Sequence, residues 1–339
     1  MKNVVFNETG REIEFKPDEI FDKYLKLTRT DLSQRFKDGQ QLVQINCPGC
    51  LSDKTAKAFD KFGFQYVECQ VCQTVYMSPC PQDKDIKDHY LNSLSSHYWR
   101  ENLTKATEDT RKEKIYSMRL QWILDVTGEY LPGAKVFADF RNMDRDYMRV
   151  FLKASCFDKK VVVDPYFDLN EIAIDQNNTQ VLPDLQSAEK LKEKVDVATA
   201  FEVLDSTSDV EMLLKTIKNV LAPGGLCFIT TISISGFDLQ VLWGDSKTIF
   251  PVDRIKLLSS EGLKILFKRH GFEMLEYSTP GVLDLDIVKN AVERNGKLSV
   301  SRFVKTLIKK DDEQLNKDFQ EFLQINKLSS FVRVVLRKK

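Results

Sequence analysis

Short apolar runs alternate with helical segments throughout the part of the chain that follows Lys135, and this pattern limits the fold more than any other feature. We predict strands in six runs: "KVFAD", "KVVVD", "VDVATAF", "LCFITTI", "FEMLEYS" and "FVRVVL". Unbroken runs of β-branched residues are typical of strands whose two faces are both covered, as in parallel sheets. The sequence therefore predicts an α/β protein with a doubly wound, Rossmann-like sheet.

The composition excludes some functions. The chain has 339 residues, 42% of them hydrophobic, which is enough for a sizeable core. Its 50 basic residues balance its 50 acidic residues, so no overall charge indicates a nucleic acid or an anionic membrane as a partner. The opening segment lacks the apolar run of a signal peptide, and no apolar run is long enough to cross a membrane. We expect a cytoplasmic protein without a nucleic-acid or membrane partner.

Four of the seven cysteines form two spaced pairs, "CPGC" (Cys47, Cys50) and "CQVC" (Cys69, Cys72). Two residues between cysteines let one turn direct both sulfurs at a single ion, and a second pair can complete a tetrahedron. A reducing compartment favours metal ligation over disulfides for such pairs. Because four thiolates leave no open coordination position, we predict a structural zinc ion.

The organisation along the chain follows from these patterns. We predict four parts: a helical lead-in (1–40), a zinc ribbon (41–82), a helical connector (83–134) and the Rossmann-like domain (135–339). Within the last part, residues 284–327 form a charged and mostly helical insertion before the final strand. Apolar residues recur at helical spacing in the lead-in and in the connector, which favours helices there.

Polar residues at the ends of predicted strands mark a candidate ligand site, because open α/β sheets bind ligands at the carboxyl ends of their strands. Asp164 ends "KVVVD" and could bond ribose hydroxyls, or it could be an ordinary turn residue before Pro165. Phe201 and Glu202 follow "VDVATA" at the end of another strand.

Several motifs in a specific order resemble one known family, the class I S-adenosylmethionine-dependent methyltransferases of the zinc-ribbon type, which include sugar C-methyltransferases. Besides the cysteine ribbon, the motifs are "YLNSLSSHYWRENL", "TRKEKIYSMRL", "TAFEVLD", "VLAPGGLCFITT", "EGLKILFKRHGFEMLEYSTPGVLDLDIV" and "FQEFLQINKLSSFVRVVLRKK". The resemblance spans nearly the whole chain from Cys47. It implies a seven-stranded methyltransferase sheet with an antiparallel last strand.

The resemblance also implies a set of cofactor contacts. They would come from Asp139 with Arg141 and Asn142 in the loop that follows it, from Asp164, and from Phe201 and Glu202. The aromatic pair Tyr98 and Trp99 would lie over the site from the connecting helices. The implied cofactors are S-adenosylmethionine and structural zinc, and the implied substrate is a small molecule such as a nucleotide-sugar.

Three departures from the family pattern fall at this site. The turn "ADFRNMDRDY" has no glycine where relatives have alternating glycines, which let a ligand touch the backbone. Asp205 and Ser206 stand where relatives usually carry Glu-His. Arg254 stands where relatives tend to have a histidine, and an arginine cannot act as a base near neutral pH.

The altered turn has two interpretations. Bulky side chains at Arg141 and Met143 would weaken or abolish cofactor binding, and on this interpretation S-adenosylhomocysteine binds weakly if at all. Alternatively, Arg141 and Arg145 bind the methionine carboxylate through paired hydrogen bonds.

Few residues could move a proton in this chain. It contains three histidines, of which His89 and His97 fall in the connecting helices and are expected at the surface, while His270 is expected near a helix C-terminus. His97, Tyr98 and Glu202 are the candidates for proton removal.

Two functions remain open at this point. One is a methyltransferase acting on a small molecule, such as a sugar or nucleotide-sugar of glycan biosynthesis. The other is a catalytically degenerate methyltransferase-like protein that binds a protein partner as a scaffold. A nucleic-acid-binding role for the ribbon is disfavoured, because basic and aromatic residues do not alternate around it.

Overall fold

The structure is a computed structural model that describes residues 2–5, 11–36, 42–140, 145–153, 156–164 and 178–339. The chain begins with two helices, α1 (Glu12–Phe15) and α2 (Asp18–Arg35). The apolar spacing of the lead-in predicted α2, and its buried side chains include Phe21, Tyr24 and Leu32.

The ribbon follows the lead-in. Its strands are β1 (Leu42–Val43), β2 (Thr55–Lys61), β3 (Phe64–Cys69), β4 (Val75–Met77) and β5 (Cys80–Pro81). Strands β2, β3 and β4 pair antiparallel, and β1 pairs separately with β5. The two cysteine pairs lie in the turns on either side of the β2–β3 hairpin, so this hairpin brings them to the same end of the ribbon.

Helices connect the ribbon to the large sheet. They are α3 (Asp83–Asn92), α4 (Leu94–Tyr98), α5 (Glu108–Arg111) and α6 (Met118–Tyr130), with π-helical turns at Trp99–Thr104 and Lys112–Ser117. The stretch "DIKDHYLNSLSSHYWRENL" is predicted from the sequence as one helix, whereas the structure has two helices there, α3 and α4. The break falls at Ser93, whose hydroxyl accepts a hydrogen bond from the Ser96 N–H and so caps α4.

The next part of the chain alternates strands and helices. Its elements are β6 (Val136–Phe140), α7 (Arg145–Lys153), β7 (Lys159–Val163), β8 (Thr179–Leu182), α8 (Leu185–Glu189), β9 (Val195–Phe201), α9 (Val203–Ser206), α10 (Val210–Val220) and β10 (Leu221–Ile232). Strand β8 was not predicted, because it is short and half of it is polar.

The remaining elements complete the fold. They are α11 (Phe237–Leu242), β11 (Lys256–Leu257), α12 (Ser260–Arg269), β12 (Phe272–Ser278), α13 (Asp284–Arg294), α14 (Arg302–Lys310), α15 (Glu313–Ile325) and β13 (Phe331–Lys338). The predicted helical insertion corresponds to α13, α14 and α15. Strand β11 pairs antiparallel with β4 of the ribbon rather than with the large sheet.

Within the described residues, the large sheet has seven strands in the order β12-β13-β10-β9-β6-β7-β8. Strands β6 to β10 pair parallel to one another, whereas β13 runs antiparallel to both β10 and β12. This confirms the predicted Rossmann-like fold, including the antiparallel last strand. All six predicted strands are present in this sheet.

Apolar residues cover both faces of the large sheet. One buried cluster includes Val163, Ala198 and Leu213 from α10, and the other includes Phe137, Val197 and Trp122 from α6. The two clusters explain why the strands have unbroken apolar runs instead of alternating polar residues. In the described part of the chain, no helix combines the length and apolar content needed to cross a membrane.

Candidate functional site

The carboxyl ends of four parallel strands meet at one edge of the large sheet, which we call the carboxyl edge. The strand ends are Phe140 of β6, Val163 of β7, Phe201 of β9 and Ile232 of β10. Ligands of open α/β sheets bind at this edge, at the point where the order of the strands reverses. Here that point is β6, which has β9 on one side and β7 on the other.

Asp139 and Asp164 lie at the carboxyl edge and are both buried. The hydroxyl of Thr199 on β9 donates a 2.5 Å hydrogen bond to the Asp139 carboxylate, which joins β6 to β9. The Asp164 N–H donates to the Leu182 carbonyl at 3.0 Å, so Asp164 continues the pairing of β7 with β8. Arg141 and Asn142, together with Met143 and the side chain of Arg145, lie outside the described residues.

Phe201 is a buried aromatic at the end of β9. Its ring stacks on Trp122 with centroids 6.1 Å apart and meets Tyr147 edge-on at 5.5 Å. The Arg119 guanidinium lies 5.0 Å from the ring centroid, within cation–π range. Phe201 therefore packs in the core and also supports an arginine at the carboxyl edge.

Glu202 turns the chain out of the sheet. Its φ is 58°, a left-handed conformation that non-glycine residues rarely adopt and that often occurs at functional sites. The Glu202 N–H donates to the Thr230 carbonyl of β10 at 2.8 Å, which fixes this turn. The side chain leaves the core and is 39% exposed.

Two arginines and two acidic residues form an ion-pair cluster around this turn. We call Arg119, Glu202, Asp205 and Arg254 the arginine cluster. Arg119 and Arg254 contact the two Glu202 carboxylate oxygens at 2.6 Å and 3.2 Å. Arg254 also lies 3.4 Å from the Asp205 carboxylate, which is buried and accepts a hydrogen bond from the Ile232 N–H at 3.2 Å.

Within the arginine cluster, the carboxyl groups of Glu202 and Asp205 have very different pKa values. Burial alone would raise the pKa of Glu202, but Arg119 and Arg254 outweigh it and lower that pKa to about 2. Burial raises the pKa of Asp205 to about 7, although Arg254 and the Thr231 hydroxyl favour its charged form. Glu202 is therefore a fixed negative charge near neutral pH and a weak proton acceptor.

Two of the three departures in the sequence, Asp205 and Arg254, contact each other in the structure. Their pairing could not be predicted from the sequence, because the two residues are distant in the chain and each departs from the family pattern at a different motif. Arg119 was not singled out either, although it lies in a motif that carries the family resemblance. Charged residues on a helix normally indicate a solvated face, so only the fold identifies Arg119 as a partner of Glu202.

Trp99 and Tyr98 lie on the connecting helices beside α2. The Trp99 ring meets Tyr24 edge-on at 4.7 Å, and the Tyr24 hydroxyl donates to Asp253 at 2.8 Å. Because Asp253 precedes Arg254, this contact links Trp99 to the arginine cluster. The Tyr98 ring lies 4.9 Å from the Lys23 ammonium. Their roles at the site stay predictions.

The histidines of the connector differ in environment. His97 is exposed, as predicted, and its Nδ1 lies 3.1 Å from the Arg100 guanidinium. The prediction that His89 is a surface residue was wrong: it is buried against Tyr90, because α3 packs its His89 face inward. Burial lowers the pKa of His89 and so favours its neutral form.

The four predicted cysteine ligands come together. Their sulfurs all lie within 4.8 Å of one another, with Cys47 and Cys72 at 3.4 Å and Cys50 and Cys69 at 3.5 Å. Four thiolates around one zinc ion at 2.3 Å would be separated by about 3.8 Å. The donor set and its compactness could therefore hold a tetrahedral metal ion, and none of these cysteines forms a disulfide.

A separate cavity of about 700 Å³ lies between the lead-in and the insertion. Its lining is mostly charged, and several of its groups pair with each other, such as Asp18 with Arg294 and Asp311 with Lys289. None of the predicted site residues that the structure describes lines it. We therefore place the candidate site at the carboxyl edge.

Residues 144–277 match a family model described as "Methyltransferase domain". The match covers less than half of the chain, from the start of α7 into β12, and includes Glu202, Asp205 and Arg254. No curated protein matches the chain in sequence.

Many solved structures resemble the fold. A plantazolicin methyltransferase, BamL, has 8% identity and a TM-score of 0.47 over 75% of this chain and 94% of its own. A possible histamine N-methyltransferase from Thermotoga maritima has 18% identity and a TM-score of 0.40 over 72% and 99%. An enzyme assigned as a sarcosine dimethylglycine methyltransferase from Galdieria sulphuraria has 16% identity and a TM-score of 0.39 over 70% and 88%. No substrate follows from similarities this distant. The strand order and the matched segment identify the fold as the Rossmann-like fold of class I methyltransferases.

Proposed function

We propose that this protein is an S-adenosylmethionine-dependent methyltransferase that acts on a small molecule, such as a sugar or a nucleotide-sugar. The observation that carries the proposal is that Asp139, Asp164 and Glu202 all lie at the ends of neighbouring strands, at the carboxyl edge of a methyltransferase-type sheet. The match of residues 144–277 to a methyltransferase domain supports it. The choice of a sugar acceptor rests on the resemblance of the sequence motifs.

Each predicted residue has a role in this proposal. Asp164 would bond the ribose hydroxyls, and Asp139 with Arg141 and Asn142 would line the amino-acid end of the cofactor. Phe201 and Trp99 would supply apolar contact. When bound, S-adenosylmethionine supplies an electrophilic methyl group on a sulfonium.

Glu202 anchors the two arginines rather than transferring a proton in this proposal. Its carboxylate is held by both guanidinium groups and stays ionised, so it is a poor proton acceptor. Proton removal from the acceptor, where the reaction needs it, falls to Tyr98 or His97.

The cysteine ribbon would hold one zinc ion through Cys47, Cys50, Cys69 and Cys72. The closed set of four sulfurs favours a structural role, since no ligand position is left for a substrate. The ion would stabilise a ribbon whose small size limits its apolar core.

Calorimetric titration with S-adenosylhomocysteine tests the proposal. We expect saturable binding of one molecule per chain with a dissociation constant of about 0.1 mM, because the turn after Asp139 lacks glycine. Asp164→Ala should abolish binding. Asp158→Ala is the matched control, because Asp158 is exposed and directly precedes β7, whereas Asp164 directly follows it.

The titration has two contradicting outcomes. No saturable heat in the wild-type protein would refute the enzyme and leave the degenerate scaffold. Equal loss of binding in Asp158→Ala and Asp164→Ala would mean that the ligand does not bind specifically at the carboxyl edge.

A further inference from the structure

The segment Arg254–Ser259 lies between the ribbon and the carboxyl edge. On its ribbon side, the Tyr66 hydroxyl donates to the Arg254 carbonyl at 2.8 Å, and the Met77 N–H donates to the Ile255 carbonyl at 2.8 Å. The next two residues form β11, which pairs with β4. The ribbon therefore contacts successive residues of this segment.

The far end of the segment is also bound to the ribbon. The Ser259 N–H donates to the Thr74 hydroxyl at 3.2 Å, and the Ser259 hydroxyl donates to the Cys72 carbonyl. Cys72 is one of the four clustered cysteines. The segment thus begins at a residue of the arginine cluster and ends on the backbone of a candidate metal ligand.

The opposite side of the segment faces the end of β9. The Ile255 N–H donates to the Asp205 carbonyl at 2.8 Å, and the Lys256 ammonium donates to the Ser208 carbonyl at 3.2 Å. The Arg254 guanidinium extends from the same side to Glu202 and Asp205. One short segment therefore joins the ribbon to the turn that presents Glu202.

The chain just before Arg254 is held in an unusual conformation. Val252 is buried and has a φ of 79°, which is an outlier for a β-branched residue. Asp253 accepts hydrogen bonds from two tyrosine hydroxyls, those of Tyr24 and Tyr90. Strained backbone persists where surrounding contacts determine it, and such places are often functional.

We propose that Tyr66 is a positioning residue, through which the four-cysteine ribbon fixes Arg254 against Glu202. The ribbon then acts on the carboxyl edge without contacting a ligand there. This rests on the proposed function only in taking Glu202 as part of the ligand site. The coupling between ribbon and cluster is a property of the protein itself and can be measured without a ligand.

Tyr66 is a buried residue of the ribbon that binds Arg254 directly. Tyr66 is fully buried on β3, three residues before Cys69, and its ring stacks on Phe59 at 4.9 Å. Its hydroxyl binds the backbone of Arg254 itself, whereas the other ribbon contacts bind neighbouring residues. Removal of the Tyr66 hydroxyl leaves the four cysteine thiols intact, but the Arg254 carbonyl loses this hydrogen bond.

Hydrogen exchange measured by mass spectrometry on the zinc-loaded full chain tests this. In Tyr66→Phe, we expect amides of residues 252–257 and 200–207 to exchange about fivefold faster, the factor that corresponds to one hydrogen bond. Tyr277→Phe is the matched control, since Tyr277 is also buried and donates a 2.8 Å hydrogen bond, to Ser260. The control should leave both segments unchanged, and zinc content should stay at one ion in both variants.

A double-mutant comparison separates positioning from a general structural effect. If Tyr66 acts through Arg254 on Glu202, Tyr66→Phe should shift the urea midpoint less in the Glu202→Gln background than in the wild type. Equal shifts in both backgrounds would mean that Tyr66 only stabilises the ribbon. Removal of zinc with a chelator should speed exchange at 252–257 and 200–207 as well.

The proposal is overturned if exchange at 200–207 stays unchanged in Tyr66→Phe and in the zinc-free protein. It is supported if both changes speed exchange there and the control does not. These outcomes do not depend on S-adenosylhomocysteine. A protein that fails to bind that molecule but shows the coupling would refute the proposed function and keep this inference.

Discussion

The large sheet and the ribbon hold their strands together in different ways. Strand β9 of the large sheet is buried along nearly its whole length, whereas β2 of the ribbon is mostly exposed. Apolar contacts on two faces stabilise the sheet, and they are spread over many residues. The buried part of the ribbon that surrounds the clustered cysteines is small. Loss of the cysteines should therefore destabilise the ribbon more than the loss of one apolar side chain destabilises the large sheet.

The largest effect should come from removing two of the clustered cysteines. We expect Cys69→Ser with Cys72→Ser to lose the zinc ion and unfold the ribbon, because structural zinc contributes about 10 kcal/mol or more of folding free energy in small domains. Metal analysis and limited proteolysis of residues 42–81 would measure this. Cys80→Ser is the control, since Cys80 is buried in the ribbon outside the cluster. Loss of zinc in Cys80→Ser as well would undermine the four-ligand assignment.

A large but more local effect should follow a change in the core of the sheet. Phe137 on β6 is fully buried and stacks on Phe151 at 4.2 Å. Phe137→Ala should lower the free energy of unfolding by about 3–5 kcal/mol, because it leaves a cavity. Zinc content should stay at one ion per chain. Release of zinc by this variant would mean that the metal site depends on the core of the large sheet.

The segment that joins the regions should respond differently from either. Arg254→Gln leaves the buried Asp205 without its cation, and we expect a loss on the order of 3 kcal/mol in the free energy of unfolding. Arg337→Gln is the matched control, because the Arg337–Glu273 pair is more exposed and should contribute about 1 kcal/mol or less. Urea denaturation compares them. Similar losses in both variants would show that the arginine cluster adds nothing beyond a surface pair.

A smaller effect should appear in the pH dependence of stability. Asp205 has a pKa of about 7 in the folded protein, above its usual value, so the folded state keeps a proton that the unfolded state releases. Stability from this group should therefore fall as pH rises from about 4 to about 7. In Asp205→Asn, the midpoint of urea denaturation should depend less on pH over this range. An unchanged slope would mean that Asp205 is already ionised at pH 4.

Six of the seven strands described in the large sheet could be predicted because each is a short and mostly apolar run, and the cysteine cluster could be predicted because its spacing is specific. Strand β8 escaped prediction, since Thr179 and Gln180 give it no apolar signal. Ser93 ended a predicted helix early, because its hydroxyl caps the next helix instead of continuing the first.

The site was less accessible from the sequence. Positions of Asp164, Phe201 and Glu202 at strand ends followed from the strand pattern. The pairing of Arg119 and Arg254 with Glu202 did not, because it depends on how α6 and the segment before β11 pack against β9. Long-range ion pairs leave no periodic trace in a single sequence.

The smallest effect on stability should come from the connector surface. His97 is exposed, so His97→Ala should change the free energy of unfolding by about 0.5 kcal/mol or less. If His97 removes the proton from the acceptor, turnover should fall by about 10²-fold or more without this loss of stability. Tyr98→Phe provides the comparison, and an unchanged turnover in both would exclude these residues from proton transfer.

We propose that the carboxyl edge binds S-adenosylmethionine, and hydrogen exchange measured with and without S-adenosylhomocysteine would locate the binding site. We predict slower exchange in peptides that cover the ends of β6, β7 and β9, at residues 138–140, 162–164 and 200–206. Exchange around the cavity between α2 and α13 should not change. Slower amide exchange around that cavity would contradict binding at the carboxyl edge. So would unchanged exchange at the three strand ends in the presence of saturating ligand.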